Sequence, residues 1–297
     1  MTREDPQNAV TIDVPLVQLL VADQFPKWAR LPIRPVKTSG HDNRTFRLGS
    51  EMSVRIPSAY RYAMHVETEH LWLPRLAPHL PLPIPTPLAS GQPAHGYPWC
   101  LSVNSWLDGE VATIKRIDDF SMFARDLANF LNRLKTIETA DGPSPGPDNL
   151  YRGGDLAVYD AETRECIDEL QDVVDAKAAT AVWESALDAA WSGPGVWVHG
   201  DVAAGNLLVK GGKLIAVIDF GQLATGDPAC DVAIAWTLFR GASREVFRTA
   251  LSSHEATWSR GRGWGLWKAL LEIRKYRRTD TVEFARARQV LDDILSG

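Results

Sequence analysis

Three side chains near the middle of the chain carry the chemistry: Asp201, Asn206 and Asp219. Asp201 closes the triplet His199-Gly200-Asp201, Asn206 follows five residues later, and Asp219 opens Asp219-Phe220-Gly221. A carboxylate such as Asp201 can face an acceptor hydroxyl and take its proton. An amide oxygen and a second carboxylate suit Mg²⁺, which prefers hard oxygen ligands. Together these groups could serve phosphoryl transfer, where the protein chiefly positions the reactants and neutralises charge. The competing reading makes Asp201 and Asp219 turn caps and Asn206 an Asx-turn residue.

The elements around these residues follow in a fixed order. Val196-Trp197-Val198 is a short β-type run that ends at His199. Leu207-Leu208-Val209 begins a second run, Gly211-Gly212 marks a tight hairpin turn, and 214–218 is the return strand that delivers Asp219. An Asp followed by Asn and then by Asp-Phe-Gly is also the grammar of the protein-kinase catalytic loop.

His199-Gly200-Asp201, Asn206, Ile218-Asp219-Phe220-Gly221, Gly226-Asp227-Pro228 and Asp231 resemble the signature of the aminoglycoside phosphotransferase family. The resemblance extends over nearly the whole chain, but its specificity is concentrated in 196–231. It implies an α+β, bilobal protein-kinase-like fold. A small antiparallel β N-lobe, 1–103, would bind nucleotide. A larger, mainly helical C-lobe, 104–297, would carry catalysis and the acceptor, with a hinge near 104–107. The co-substrate would be ATP or GTP with Mg²⁺. The acceptor would be a small-molecule hydroxyl, on an aminoglycoside-like or other amine-bearing antibiotic, a macrolide, or a metabolite such as choline or homoserine.

The resemblance also assigns nucleotide contacts. Ser39, Gly40 and Asn43 lie where a small-residue loop would cover the phosphates, although the same residues suit an ordinary hairpin turn. Arg55, in the strand run 52–56, stands where the family presents a phosphate-binding lysine. Arginine keeps the charge but replaces a compact point charge with a planar fork. Glu69, on a helix expected over 60–76, would orient Arg55. Glu67 competes for that role, but Glu69 lies on the apolar stripe, where a lone charge needs a partner. Asn104 falls in the expected hinge after a strand over 97–103, and Trp106 would fill the lobe interface or stack near the purine.

Composition sets the outer bounds. The chain has 297 residues, enough for two lobes, and 45% hydrophobic content, which suits a globular protein. A net charge of −5 argues against a general nucleic-acid binder. No apolar run approaches the roughly 20 residues of a membrane span, and the N-terminus lacks a signal-peptide pattern, so a cytoplasmic location is expected. Cys100, Cys166 and Cys230 show no paired spacing and are expected as reduced thiols.

Segment 155–188 holds ten acidic residues against two basic ones. It reads either as a solvated helix face or as an acidic wall that draws in a cationic acceptor. Arg274, Lys275, Arg277 and Arg278 read as the basic face of a C-terminal helix. A nucleotide-binding module without transferase activity is a rival that the intact Asp201, Asn206 and Asp219 disfavour. A hydrolase built on Asp201 and His199 is a second rival, with no zinc-type His-Glu-x-x-His motif to support it.

Overall fold

The computed structural model describes residues 10–36, 42–139, 141–279 and 281–297. Ser39 and Gly40 lie outside the described residues. The chain divides into two compact units: 1–78 with 84–108, and 79–83 with 109–297.

The first unit is an antiparallel sheet with two helices. Helix α1, Val14–Gln24, starts at Asp13, whose carboxylate accepts the Leu16 amide at 3.0 Å. Its Leu16, Val17, Leu20 and Val21 are buried in one core with sheet residues Phe46, Leu48, Val54 and Val103. Strands β1 (Ile33–Pro35), β2 (Asn43–Leu48) and β3 (Met52–Pro57) are followed by α2 (Tyr60–Leu76). Strands β4 (Pro87–Gly91) and β5 (Leu101–Ser105) complete a sheet of order β1-β2-β3-β5-β4.

Two expectations need correction here. The strand expected over 97–103 begins only at Leu101. Tyr97 instead closes a small turn with Ala94, and its hydroxyl donates to the Pro57 carbonyl at 2.9 Å. At the other end β5 continues through Ser105, so Asn104 pairs with Ser53 inside the sheet. β1 was not anticipated, because three residues ending in proline give too little alternation to read.

The second unit is mainly helical and is built around two small β pairings. β6 (Glu110–Val111) precedes α3 (Phe120–Lys135), α4 (Asp160–Glu169) and α5 (Ala176–Asp188). Then come β7 (Val196–Val198), β8 (Leu207–Lys210), β9 (Lys213–Val217) and β10 (Ala224–Gly226). β8 and β9 form a hairpin whose turn glycines, Gly211 and Gly212, sit at φ +57° and +73°, as a two-residue turn of this twist requires. β6 adds to β8, while β7 pairs with β10. Val217 donates its amide to the Pro83 carbonyl at 3.1 Å, which brings segment 79–83 onto this unit.

Short helices α6 (Ala229–Val232) and α7 (Ile234–Thr237) lead to α8 (Ala242–Leu251), α9 (Glu255–Tyr276) and α10 (Val282–Leu295). α3 is capped by Asp119 and buries Phe123, Leu127, Phe130, Leu131 and Leu134 against α8, β7 and β9. α9 is the long organising helix. It comes close to its neighbours because a Cβ at Gly261 would stand 2.6 Å from Val232 Cβ, and one at Gly263 would stand 2.5 Å from Ala186 Cβ. Among the described residues, no helix is long and apolar enough to cross a membrane.

Candidate active site

The turn after β7 is held from beneath by one buried carboxylate. Asp231 accepts the His199 amide on Oδ2 and the Gly200 amide on Oδ1, each at 2.8 Å. Burial raises the Asp231 pKa, against the pull of the neighbouring His199 and of the two amide bonds. Gly200 takes φ +85°, and any side chain there would collide with the Gln222 carbonyl. The His199 ring bridges two segments. Its Nε2 faces the Ile218 carbonyl at 3.0 Å, and its Nδ1 accepts the Asp201 amide at 3.2 Å. A carbonyl can only accept, so the ring hydrogen sits on Nε2. The ring also packs on Phe220, with centroids 4.5 Å apart.

This frame presents Asp201 with both oxygens engaged. Lys268 Nζ donates to Oδ1 at 3.0 Å. Asn206 Nδ2 donates to Oδ2 at 3.2 Å and to the Asp201 carbonyl at 2.9 Å. Burial alone would raise the Asp201 pKa, but the Lys268 charge and hydrogen bond, with help from Arg152 and His199, bring it below the usual value.

The β8–β9 hairpin explains why distant residues meet. Leu207 pairs with Val217, so Asn206 and Asp219 flank the open end of one hairpin. The Ile218 amide donates to the Asn206 carbonyl at 2.9 Å and closes that end. With its amide nitrogen spent on Asp201, Asn206 has Oδ1 left to offer. Asp219 sits in left-handed backbone, φ +68°, where the strand ends. One amide oxygen and one carboxylate make a hard-oxygen donor set that fits Mg²⁺ sharing its shell with substrate phosphates.

A second layer lies under this loop. Arg260 of α9 binds Asp227 through Nε–Oδ2 at 2.6 Å and Nη2–Oδ1 at 2.9 Å, both residues being buried. Arg152 donates to Gln222 Oε1 at 2.8 Å, and its guanidinium lies 4.9 and 5.0 Å from the rings of Trp264 and Trp267. Trp264 and Trp267 also pack with Tyr159.

In the first unit, β3 and α2 bring Arg55 and Glu69 together. Arg55 Nη1 lies 3.1 Å from each Glu69 oxygen, and Glu69 is buried. Asn43 opens β2. Asn104 is 2% exposed and accepts from Ser102 Oγ at 2.9 Å. Trp106 is covered by Arg47, whose guanidinium stands 3.9 Å from the ring.

A model of the phosphotransferase enzyme family matches residues 33–264. The chain belongs to this family. Solved structures of aminoglycoside and macrolide phosphotransferases share its kinase-like fold. The GDP and kanamycin complex of APH(2")-IIIa superposes with a TM-score of 0.72 at 15% identity, over 95% of this chain and 98% of that one. The streptomycin–ATP ternary complex of APH(2")-IIa gives 0.59 at 19% identity, over 97% of each chain. The macrolide 2'-phosphotransferase of Brachybacterium faecium gives 0.63 at 20% identity, over 94% of this chain and 98% of that one. No curated protein matches the sequence.

This phosphotransferase therefore gathers Asp201, Asn206 and Asp219 on the two turns that flank one hairpin. It separately joins Arg55 to Glu69. Three participants carry no local signal in the sequence. Lys268 is 67 positions from Asp201, and Arg260 is 33 from Asp227. Arg152 lies in a Pro/Gly-rich loop. Asp227 stood out through the resemblance, but its partner did not.

The acidic run 155–188 is largely engaged at home. Glu162 accepts from Trp267 Nε1 at 2.9 Å and from Arg274 at 3.3 Å, and Asp172 binds Arg277 at 2.9 Å. Asp160 binds Arg164 at 2.8 Å, while Asp155 and Asp175 cap helices. The basic face expected at 274–278 meets this acidic run.

Proposed function

We propose that the protein transfers the γ-phosphoryl group of ATP or GTP to a hydroxyl of a small molecule. The observation that carries this reading is the placing of Asp201 beside Asn206, at the open end of the hairpin that also presents Asp219. Asp201 accepts the proton of the attacking hydroxyl, because its carboxylate is kept ionised and remains partly exposed. Asn206 Oδ1 and the Asp219 carboxylate would hold Mg²⁺, which neutralises charge on the phosphate oxygens. Arg55, oriented by Glu69, supplies a positive charge to the phosphates in place of a lysine. Asn43, Ser39 and Gly40 serve the phosphate-covering segment, and Asn104, within β5, serves the base. The lobes of this reading are 1–103 and 104–297, and the location is cytoplasmic.

An aminoglycoside-like or other amine-bearing antibiotic is the first acceptor to test, because kanamycin and streptomycin complexes are among the structural relatives. One observation favours a second reading, a kinase of a small metabolite. Glu162 and Asp172 of the acidic run are paired with Arg274 and Arg277, and two cations, Lys268 and Arg152, act on Asp201. That charge pattern gives a polyamine little advantage.

The test is a coupled nucleotide-consumption screen over aminoglycosides, macrolides and small metabolic alcohols, with ATP and GTP in parallel. Asp201→Asn should retain nucleotide binding and lose at least about 99% of transfer, in line with removal of a general base. Near-normal turnover by this variant would remove Asp201 from the mechanism.

A further inference from the structure

Lys268 lies past the segment matched by the family model, on a helix with no motif, yet its Nζ sits 3.0 Å from the proposed base. Its reach is set by the helix. Arg260, Trp264 and Lys268 recur every four residues and so share one face of α9. Arg260 binds the buried Asp227 below the catalytic loop, Trp264 packs beneath Arg152, and Lys268 meets Asp201. The buried Arg260–Asp227 pair fixes the height of the helix, and the helix fixes the height of the ammonium.

The contact also completes a clamp. Lys268 holds Oδ1 of Asp201 and Asn206 holds Oδ2, so the carboxylate is restrained against rotation. Each carboxylate oxygen still has a second lone-pair site, which leaves room for an acceptor hydroxyl. The two side chains remain 24% and 33% exposed, so the paired carboxylate is still open to an acceptor. The other groups acting on this corner are the Arg152 guanidinium and the His199 ring on Asp201, with Asp231 buried beneath the turn.

We infer that Lys268 is a positioning residue for phosphoryl transfer: through its bond to Asp201 Oδ1 it holds the base in the orientation that meets the acceptor hydroxyl. The inference rests on Asp201 being the base.

The experiment compares wild type, Lys268→Met, Lys268→Arg and Asp201→Asn. It measures Mg·ATP and Mg·GTP affinity with a fluorescent nucleotide, and turnover with the acceptor found by screening and with water as acceptor. Lys268→Met keeps the apolar stem. It should leave nucleotide affinity and melting temperature unchanged while kcat falls by about 10- to 100-fold, the scale of a slight misplacement. Lys268→Arg, which retains a cationic donor, should recover a large part of that loss. A purely structural lysine would lower the melting temperature along with kcat. Turnover of Lys268→Met within twofold of wild type, with Asp201→Asn inactive, would overturn the inference. If Asp201→Asn is itself active, the proposed function fails instead. A crystal structure of Lys268→Met reads the same point without turnover. Rotation of the Asp201 carboxylate supports the inference, and an unmoved carboxylate overturns it.

Discussion

Arg260→Met should be among the most damaging single changes in the second unit. Arg260 and Asp227 are each 4% exposed, and the guanidinium makes two bonds to the carboxylate, at 2.6 and 2.9 Å. Arg260 also reaches Thr257 Oγ1 at 3.2 Å and the Ala189 carbonyl. Methionine fills much of the same volume but leaves Asp227 buried with, among the described residues, the Ala229 amide at 3.1 Å as the remaining donor to its carboxylate. Removing one member of such a pair costs about 3–5 kcal/mol. At about 2–4 °C per kcal/mol for a unit of this size, the melting temperature should drop by roughly 6–20 °C. The assay is thermal unfolding of wild type, Arg260→Met, Asp227→Asn and the double variant. Each single variant should be destabilised, and the double should regain part of the sum, because no unpaired charge then remains inside. A melting temperature for Arg260→Met within about 2 °C of wild type, less than 1 kcal/mol, would refute the claim that this pair anchors α9.

Asp219→Ala should lose Mg²⁺-dependent nucleotide binding more severely than Asp201→Asn, and matching Mg²⁺ titrations for wild type and Asp219→Ala would contradict its role as a ligand. Arg55→Met should weaken nucleotide binding, with Arg55→Lys retaining part, since charge alone still serves a phosphate; unchanged affinity would leave Arg55 as a structural strand residue. Gly200→Ala forces a side chain into left-handed backbone, at a cost of about 1–2 kcal/mol, and against the Gln222 carbonyl. It should lower both melting temperature and turnover, and a variant of wild-type activity would show that the loop can yield. The Asp201 pKa lies below its ordinary value of about 3.9, so the stability it contributes is present above that pH and fades as pH falls through the lowered value. The acid decline of kcat should therefore fall below about pH 4, and a decline centred near pH 6 would point to another group.

The hairpin could be read in advance because its information is local. Two adjacent glycines between apolar runs allow few other structures, and once β8 and β9 pair, Asn206 and Asp219 must flank one end. Helix α2 was legible from its apolar rhythm, and so was the burial of Glu69 on that stripe. The β5 boundary was misread because Tyr97 and Trp99 have strand-like character, but they spend it packing beside each other in a turn, centroids 5.6 Å apart. Lys268, Arg152 and Arg260 were out of reach for a different reason. Each is one cation among many, and what singles it out is a partner brought close only by tertiary packing. The acidity of 155–188 was visible, but its arginine partners at 274 and 277 are more than a hundred positions away from Glu162 and Asp172.

Val217 gives its amide to Pro83, and segment 79–83 belongs with the second unit although it lies between two stretches of the first. The backbone therefore passes between units three times, after 78, after 83 and after 108. Neither unit is a contiguous stretch of gene. A fragment beginning at residue 109 would contain Asp201, Asn206, Asp219 and Lys268, yet it would leave the outer edge of β9 without its Pro83 acceptor, next to the turn that carries Asp219. Splitting the protein for separate expression, or exchanging one unit between relatives, would have to carry the proline-rich segment along with the catalytic unit, as a short piece supplied in trans or as a rewired loop.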